Sequence, residues 1–408
     1  MRPLRVEEKP AAPASEVAVG EDREAHFTVT VVEGIDALQQ HQDAWCTLVE
    51  RAVEANLFLE PWLVAAALSH RIGRAPRFVL VHEPRRPHLT NRRLLVGVFA
   101  LESARLTGLR ASLTQLWRHP FAYLTTPLLD REFAQPAMAA FCDWLERERS
   151  GLLRLQMISG DGPVRRLWID ELNRRGWSYL LDDVYSRALL RRGAGGEEYL
   201  IESLDGKRRK NLRRLRDRLA ESGELRWDEF VEGAAVGPWI SEFLALEAGG
   251  WKGAEGSAIL SKPAHAACVR DLLTEAAARK RLEILALRVD GRAIAMKVNL
   301  WGLAEARGEA GYAFRIAFDE SFARYSPGML LEVENVLRFH SRPDAQWMDS
   351  CASRDRFIVD HFWRDRRTIE TWIAAPAGRG ELTLRTLPLL RWLDRTILRR
   401  RRGDREEG

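Results

Sequence analysis

The segment Tyr325-Ser326-Pro327-Gly328 stands between an apolar stretch ending at Asp319 and a helical pattern carrying Leu330, Leu331, Val333, Val336 and Leu337. Ser326 suits an N-cap. Pro327 suits the first helical position, where a missing N–H leaves no bond unmade and φ is already set. The amides of Gly328, Met329 and Leu330 would then point out of the positive end of a helix dipole, and the absent Cβ at Gly328 would let an anion approach. Such a place suits a pyrophosphate. The plain alternative is a helix start that binds nothing.

Asp319 and Asp349 fall at the C-terminal ends of neighbouring predicted strands, where α/β folds gather ligands. Each has a structural alternative: Asp319 bonding its own loop backbone, and Asp349-Ser350 capping a following helix. Lys252, between Trp251 and Gly253, is either a contact for an anion or a solvated loop lysine beside a buried Trp251. Lys207–Leu219 holds eight basic residues and one acid, Asp217. It lacks interleaved aromatics, zinc ligands or a helix-turn-helix companion, so DNA is not expected, RNA is disfavoured, and packing against acidic surface or a charged substrate is preferred.

These residues need elements to position them. Hydrophobic periodicity predicts strands at 27–32, 78–83 and 94–102, helices at 35–54 and 60–72, and an irregular stretch over 117–130. Helix 134–149, strand 152–158, helix 163–175 and strand 177–190 complete a first unit. After the Gly193–Gly196 break the order repeats: basic helix 207–222, strand 225–231, helices 237–249 and 264–280, and strands 282–289, 293–301 and 310–319, with Asp290-Gly291 as a hairpin turn. Helix 327–341, strand 346–351, helix 357–364 and strand 368–374 close it. The expected units are a poorly ordered leader at 1–25, domains at 26–192 and 197–376, and a basic tail at 379–408.

The chain has 408 residues, 46% hydrophobic and 30% charged, which describes a globular protein and excludes disordered and disulfide-stapled classes. Cys46, Cys142, Cys268 and Cys351 lack the paired spacing of a zinc or redox motif, so reduced thiols and no metal are expected. No signal-peptide core or membrane span is seen, which predicts a cytoplasmic protein, with peripheral attachment to the inner membrane as a variant. In the tail, residues 382–402 form an amphipathic pattern with Leu387, Leu389, Leu390, Leu393 and Ile397 opposite Arg385, Arg391, Arg395 and Arg399. It either lies on an anionic membrane or covers an apolar patch of the domain.

Three segments in order, Leu246-Glu247-Ala248-Gly249-Gly250-Trp251-Lys252-Gly253, Phe318-Asp319-Glu320 with Tyr325-Ser326-Pro327-Gly328, and Met348-Asp349-Ser350-Cys351-Ala352, resemble the CelD/BcsL-type acetyltransferases of the GNAT superfamily. The basic helix with Lys207, Arg208, Arg213 and Arg214 is similar to the segment that precedes that domain. The resemblance covers the second half and implies an α/β (α+β) architecture: a tandem duplicated GNAT-like acyltransferase fold, with mixed twisted sheets flanked by helices. It implies acetyl-CoA or another acyl-CoA as donor, its thioester between splayed fourth and fifth strands, and its pyrophosphate on Ser326, Pro327, Gly328, Met329 and Leu330. The acceptor would be an amine or hydroxyl, on a small molecule or a saccharide of exopolysaccharide or cellulose biosynthesis, with Trp251, Lys252 and Tyr325 binding substrate. Related alternatives are an aminoacyl-tRNA-dependent peptidoglycan ligase and a non-catalytic scaffold of a polysaccharide machine.

The loop departs from the superfamily's Gln/Arg-x-x-Gly-x-Gly/Ala pattern: Arg324 matches, but Pro327 and Met329 stand at the glycine positions. The first half has only Phe133-Ala134-Gln135-Pro136 there, which points to a structural or acceptor-binding role. Acyl transfer needs a base for the acceptor and hydrogen-bond donors for the carbonyl oxygen. Asp319 and Asp349 lead as base, Glu247 and His361 follow, and a main-chain amide in Tyr312–Ala317 is the expected donor.

Overall fold

The computed structural model describes residues 16–17, 26–84, 93–105, 112–148, 151–304, 308–354, 362–376 and 380–386. The first half runs β1 (Glu16–Val17), β2 (Thr28–Glu33), α1 (Gly34–Arg51), α2 (Pro61–Ser69), β3 (Arg77–His82), β4 (Leu95–Arg105), β5 (Ser112–Leu116), β6 (Leu128–Leu129), α3 (Ala134–Arg147), β7 (Leu153–Ser159), α4 (Pro163–Arg175) and β8 (Ser178–Arg191). The second runs α5 (Gly196–Ser203), α6 (Gly206–Ala220), β9 (Leu225–Glu229), α7 (Val236–Gly249), α8 (Trp251–Ala254), α9 (Pro263–Ala278), β10 (Leu282–Val289), β11 (Arg292–Leu303), β12 (Glu309–Phe318), α10 (Pro327–Ser341), β13 (Ala345–Asp349) and β14 (Asp365–Ala375).

Local chemistry explains many of these boundaries. Pro61, Pro163, Pro263 and Pro327 each open a helix, and Gly176 ends α4 in the left-handed conformation at φ 64°. Asp290 and Gly291, both at positive φ, turn β10 into β11 as the dipeptide predicts. The expected helix at 357–364 is corrected in part: Phe362–Arg364 are not helical, and 357–361 lie outside the described residues. α5 occupies sequence beside the Gly-rich break, where none was predicted. Of the leader, Glu16–Val17 pair with β2, and of the tail, Leu382–Thr386 are helical with Leu384 buried against Leu113, Leu152 and Ile373; the rest of both lies outside the described residues.

All fourteen strands join in one sheet, ordered β1-β2-β3-β4-β5-β7-β14-β8-β13-β12-β11-β10-β9, with β6 paired to β4. Each half contains one parallel pair bridged by a helix: β5 beside β7 across α3, and β12 beside β13 across α10. The closing strands are exchanged. β14, from the end of the second half, lies against β7 of the first, whereas β8 of the first half lies against β13 of the second. β8 and β14 pair with each other along almost their whole length.

On one face of the sheet α1, α2, α7 and α9 share a single core that includes Trp45, Leu63, Phe243 and Leu272. On the other face α3 and α4 cover the first half around Phe99, Phe141 and Trp168, and α5, α6 and α10 cover the second around Leu219, Leu331 and Phe339. The shared core and the exchanged strands make each half depend on the other. A fragment of residues 26–192 lacks β14, the strand that lies between β7 and β8, and is expected to show no cooperative urea transition alone. Mixing it with residues 193–408 should restore the transition, followed by circular dichroism.

Candidate active site

β12 and β13 pair only from Glu309 to Tyr312 and from Ala345 to Asp349; beyond that β13 ends and β12 runs on to Phe318. Against β11, the register of β12 jumps from Val298↔Arg315 to Leu300↔Tyr312, so Ala313 and Phe314 bulge opposite Asn299. Past Tyr312, no described strand takes the β12 amides on the β13 side. A cavity of about 400 Å³ opens through this V, between Ala313–Phe318 and Ser350–Ser353. That size suits a small-molecule site. Residues of α7 and α8 form one wall, and Arg118, His119, Tyr123, Tyr185 and Arg187 bring the first half into another.

The predicted carboxylates are all engaged. Asp349 is fully buried: Arg187 reaches it at 2.6 and 2.7 Å, Arg367 at 2.7 Å, and the Cys351 amide donates to it at 2.9 Å. Burial alone would raise this carboxyl, but the two guanidinium charges outweigh it and hold the group below the usual range. Glu247, also buried, accepts from Lys252 Nζ at 2.8 Å and from the Ile259 amide at 2.9 Å. Asp319 takes its structural alternative. It accepts from the Ser321 amide and hydroxyl at 2.9 and 2.7 Å, capping a 3₁₀ turn over Glu320–Tyr325, and pairs with Arg292. Burial raises Asp319, yet these partners leave it net lowered. Carboxylates held this way orient loops and strands; none stands as a free proton acceptor. His361 lies outside the described residues.

Lys252 and Trp251 reverse the expected burial. Lys252 is tucked against Glu247, whereas Trp251 is 38% exposed at the cavity edge, its amide donating to Glu320. Tyr325 sits outside the cavity wall with the Arg324 guanidinium 4.7 Å from its ring centroid.

α10 begins at Pro327 as expected, but Ser326 is in the left-handed region at φ 51° and its side chain makes no cap. Its carbonyl accepts from the Met329 and Leu330 amides at 2.9 and 3.2 Å, so Gly328 alone of the three keeps an amide unengaged among the described residues. A Cβ on Gly328 would meet Phe318 and Ile316 at 3.6 and 3.8 Å, an ordinary contact on the sheet side. Its missing side chain therefore does not open a path for an anion, which corrects the expectation. Beside this helix start lies α6, packed against the 3₁₀ turn and α10. Lys207, Arg208, Lys210, Arg213 and Arg218 are exposed on it and have no carboxylate partner among the described residues.

A splayed parallel pair with a helix bridging it stands in each half, and in the second the longer strand carries a bulge. Residues 206–357 match the family model described as an acetyltransferase (GNAT) domain. Among solved structures, FemX shares the arrangement at 10% identity and TM-score 0.51, covering 83% of this chain and 95% of that one. The C-terminal domain (DUF2156) of a putative lysylphosphatidylglycerol synthetase from Agrobacterium fabrum does so at 14% identity and TM-score 0.50, covering 86% and 96%. The fold is a tandem GNAT fold. No curated protein sequence matches the chain.

The two GNAT repeats treat their splays differently. In the first, β5 and β7 pair only at Thr114↔Leu153 and Gln115↔Arg154. The gap beyond is stitched shut by the segment after β5: the Thr125 amide and hydroxyl donate to the Met157 and Gln156 carbonyls, and Gln156 Nε2 donates to Leu116 O at 2.6 Å. The same segment carries Arg118, His119 and Tyr123 to the open splay of the second repeat.

Sequence reasoning missed these three residues, together with Arg315 and the buried pair Lys297–Glu332 at 2.5 Å on the cavity floor. A signal existed for the pair: Lys297 interrupts the apolar strand Ala293–Trp301. Glu332 also accepts from Trp363 Nε1 at 2.8 Å and Asn335 Nδ2 at 2.9 Å.

Replacing Asp349 with Asn leaves two guanidinium groups facing each other, and is expected to destabilise by about 3–5 kcal/mol in urea titration. The sign with pH follows from the lowered carboxyl. Stability from the cluster is complete above the unfolded-state value of about 3.9 and is lost as pH falls through the lower folded-state value. Acid unfolding of Asp349→Asn should therefore lack that part of the pH dependence.

Proposed function

We propose that the protein is an acyltransferase that moves an acyl group from an acyl-CoA thioester to an amine or hydroxyl. The observation that carries this reading is the open splay of β12 and β13, with its bulge at Ala313–Phe314 and the start of α10 behind it. The resemblance to CelD/BcsL-type acetyltransferases supports acetyl as the group and a saccharide of a cell-surface polymer as one acceptor class.

Transfer joins the acceptor nitrogen or oxygen to the carbonyl carbon, breaks the C–S bond and releases the thiol, while the acceptor gives up a proton. The β12 amides past Tyr312, which have no strand on the β13 side, are the donors for the carbonyl oxygen as charge develops there. Cys351 lines the cavity, but burial, and then Asp349, push its thiol up, so it is not held as a nucleophilic thiolate. Direct transfer to the acceptor fits better than an acyl-enzyme. The phosphates of the donor fall to the Gly328 amide, the positive end of α10 and the cations of α6.

The charge of α6 favours a second reading, in which the donor is an aminoacyl-tRNA and the helix tracks its backbone. RNA affinity would then fall steeply with salt, roughly in proportion to the number of phosphate contacts.

Calorimetry with acetyl-CoA tests the first reading. Ser326→Asp places a carboxylate at the α10 start, where it suits the helix dipole and the left-handed backbone but repels phosphate. It is expected to weaken acetyl-CoA binding at least tenfold, about 1.4 kcal/mol, with unchanged melting temperature. Arg208→Glu with Arg213→Glu should weaken it further, more at low salt. An absence of acetyl-CoA binding alongside salt-sensitive tRNA binding would select the second reading.

A further inference from the structure

The cavity has a surplus of cations that the donor does not account for. Its carboxylates are each neutralised: Glu247 by Lys252 and Glu332 by Lys297, with Asp349 beneath them held by Arg187 and Arg367. Arg118 and Arg315 also line it; the Arg118 amide donates to Glu102 and its charge favours that carboxylate, whereas Arg315 meets no carboxylate among the described residues. The Arg315 Nε is buried without an acceptor, its guanidinium 6.0 Å from the Tyr123 ring centroid. Arg315 lies opposite Val298 in the ladder and so faces the α7 and α9 side of the sheet, across from α10 and α6. Phosphates held at the α10 start therefore leave Arg315 uncompensated.

Beside these cations sits His119, 3% exposed, with neither ring nitrogen bonded among the described residues. Its ring leans on Trp117 at a centroid distance of 4.6 Å. Burial pushes its pKa down to about 3, so the ring is neutral and offers one donor and one acceptor. Buried polar groups without partners are exceptional in folded proteins, and in a cavity wall they are what a ligand completes. A neutral acceptor molecule would bond His119 but leave the Arg315 guanidinium unanswered.

We propose that the acceptor is an anion: a molecule bearing a carboxylate or phosphate near its amine or hydroxyl, its oxyanion on Arg118 and Arg315 and its nucleophilic end against His119. This deepens the acyl-transfer reading and rests on it. Planar guanidinium groups match both oxyanions. The first GNAT repeat thus supplies two of the three positioning residues, and the second repeat one.

Three probes that share an aminoethyl unit separate the cases: propylamine, β-alanine and O-phosphoethanolamine, titrated into the full chain carrying ¹³C-labelled histidine. The His119 resonance is assigned from His119→Gln. β-Alanine or O-phosphoethanolamine should shift it saturably and propylamine should not; which of the two binds more tightly tells carboxylate from phosphate. Arg118→Gln, an exposed change that spares the fold, and Arg315→Gln should each weaken that binding at least tenfold. Equal shifts with all three probes, or none with any, would overturn the proposal. Acetyl-CoA calorimetry on the same protein reads the donor side separately. Anion binding without acetyl-CoA binding would sink the acyl-transfer reading and leave the anion site standing, and the reverse result would sink only the anionic acceptor.

Discussion

Asp349 is an anion without access to water, and the guanidinium groups of Arg187 and Arg367 are what make it tolerable there. Removing charges from water costs several kcal/mol per ion, so such a cluster adds little net stability over apolar side chains of the same volume. What it adds is address. Arg187 comes from β8 of the first repeat, Arg367 from β14 at the end of the second, and Asp349 from the last position of β13. An apolar ladder between β8, β13 and β14 would tolerate a slip of two residues, because the same faces would still meet. A slip here would strand a buried charge. The cluster thereby sets the exchange of closing strands, the place where β13 stops, and the V that opens beyond it.

The elements themselves were legible because their signals are local. Pro327 and Gly176 punctuate helices, Asp290-Gly291 makes its turn, and the near-continuous apolar runs of β10 and β11 match their burial on both faces. The exchange of β8 and β14 was not legible, because partner choice among strands of similar composition depends on pairs such as Arg187 and Asp349, 162 residues apart in the chain. The site was legible by halves. Asp349 and Glu247 could be picked out as carboxylates in the right neighbourhood, but the guanidinium partners of Asp349 lie on distant strands, and the pairing of Glu247 with Lys252, five residues on, depends on how α8 turns back from α7. His119 drew no attention because it sits in the irregular stretch after β5, where no periodicity assigns a face.

The sheet separates two electrostatic environments. On the α10 side, α6 presents a solvated cationic face next to a helix start, which suits a polyanion held loosely and sensitive to salt. On the α7 side, Arg315 and His119 are largely shielded, where a charge interaction is stronger and less screened. The Asp349 cluster, with two cations to one anion, carries a net positive charge beneath both. For the proposed transfer, an arrangement of this kind would let a donor arrive through long-range attraction on one face while an acceptor is selected by close contacts on the other.

Duplication follows from that geometry rather than standing beside it. On the proposed reading, a single repeat has one splay to give to the donor, and the opposite face would be walled by loops alone. Here the first repeat closes its own splay with Thr125, Thr126 and Gln156, and the backbone that does so is pinned on both sides by bonds to β7 and by Asn56 Nδ2 donating to Thr126 O at 2.7 Å. Pinning closes the splay of that repeat and turns a loop into a rigid wall. Phe58, Tyr123 and Phe314 then pack edge to face across the boundary, fixing the wall against β12 with ring centroids 5.4 to 5.9 Å apart. A wall that rigid can hold His119 unsatisfied in a dry place, which a mobile loop would relax by turning the ring to water.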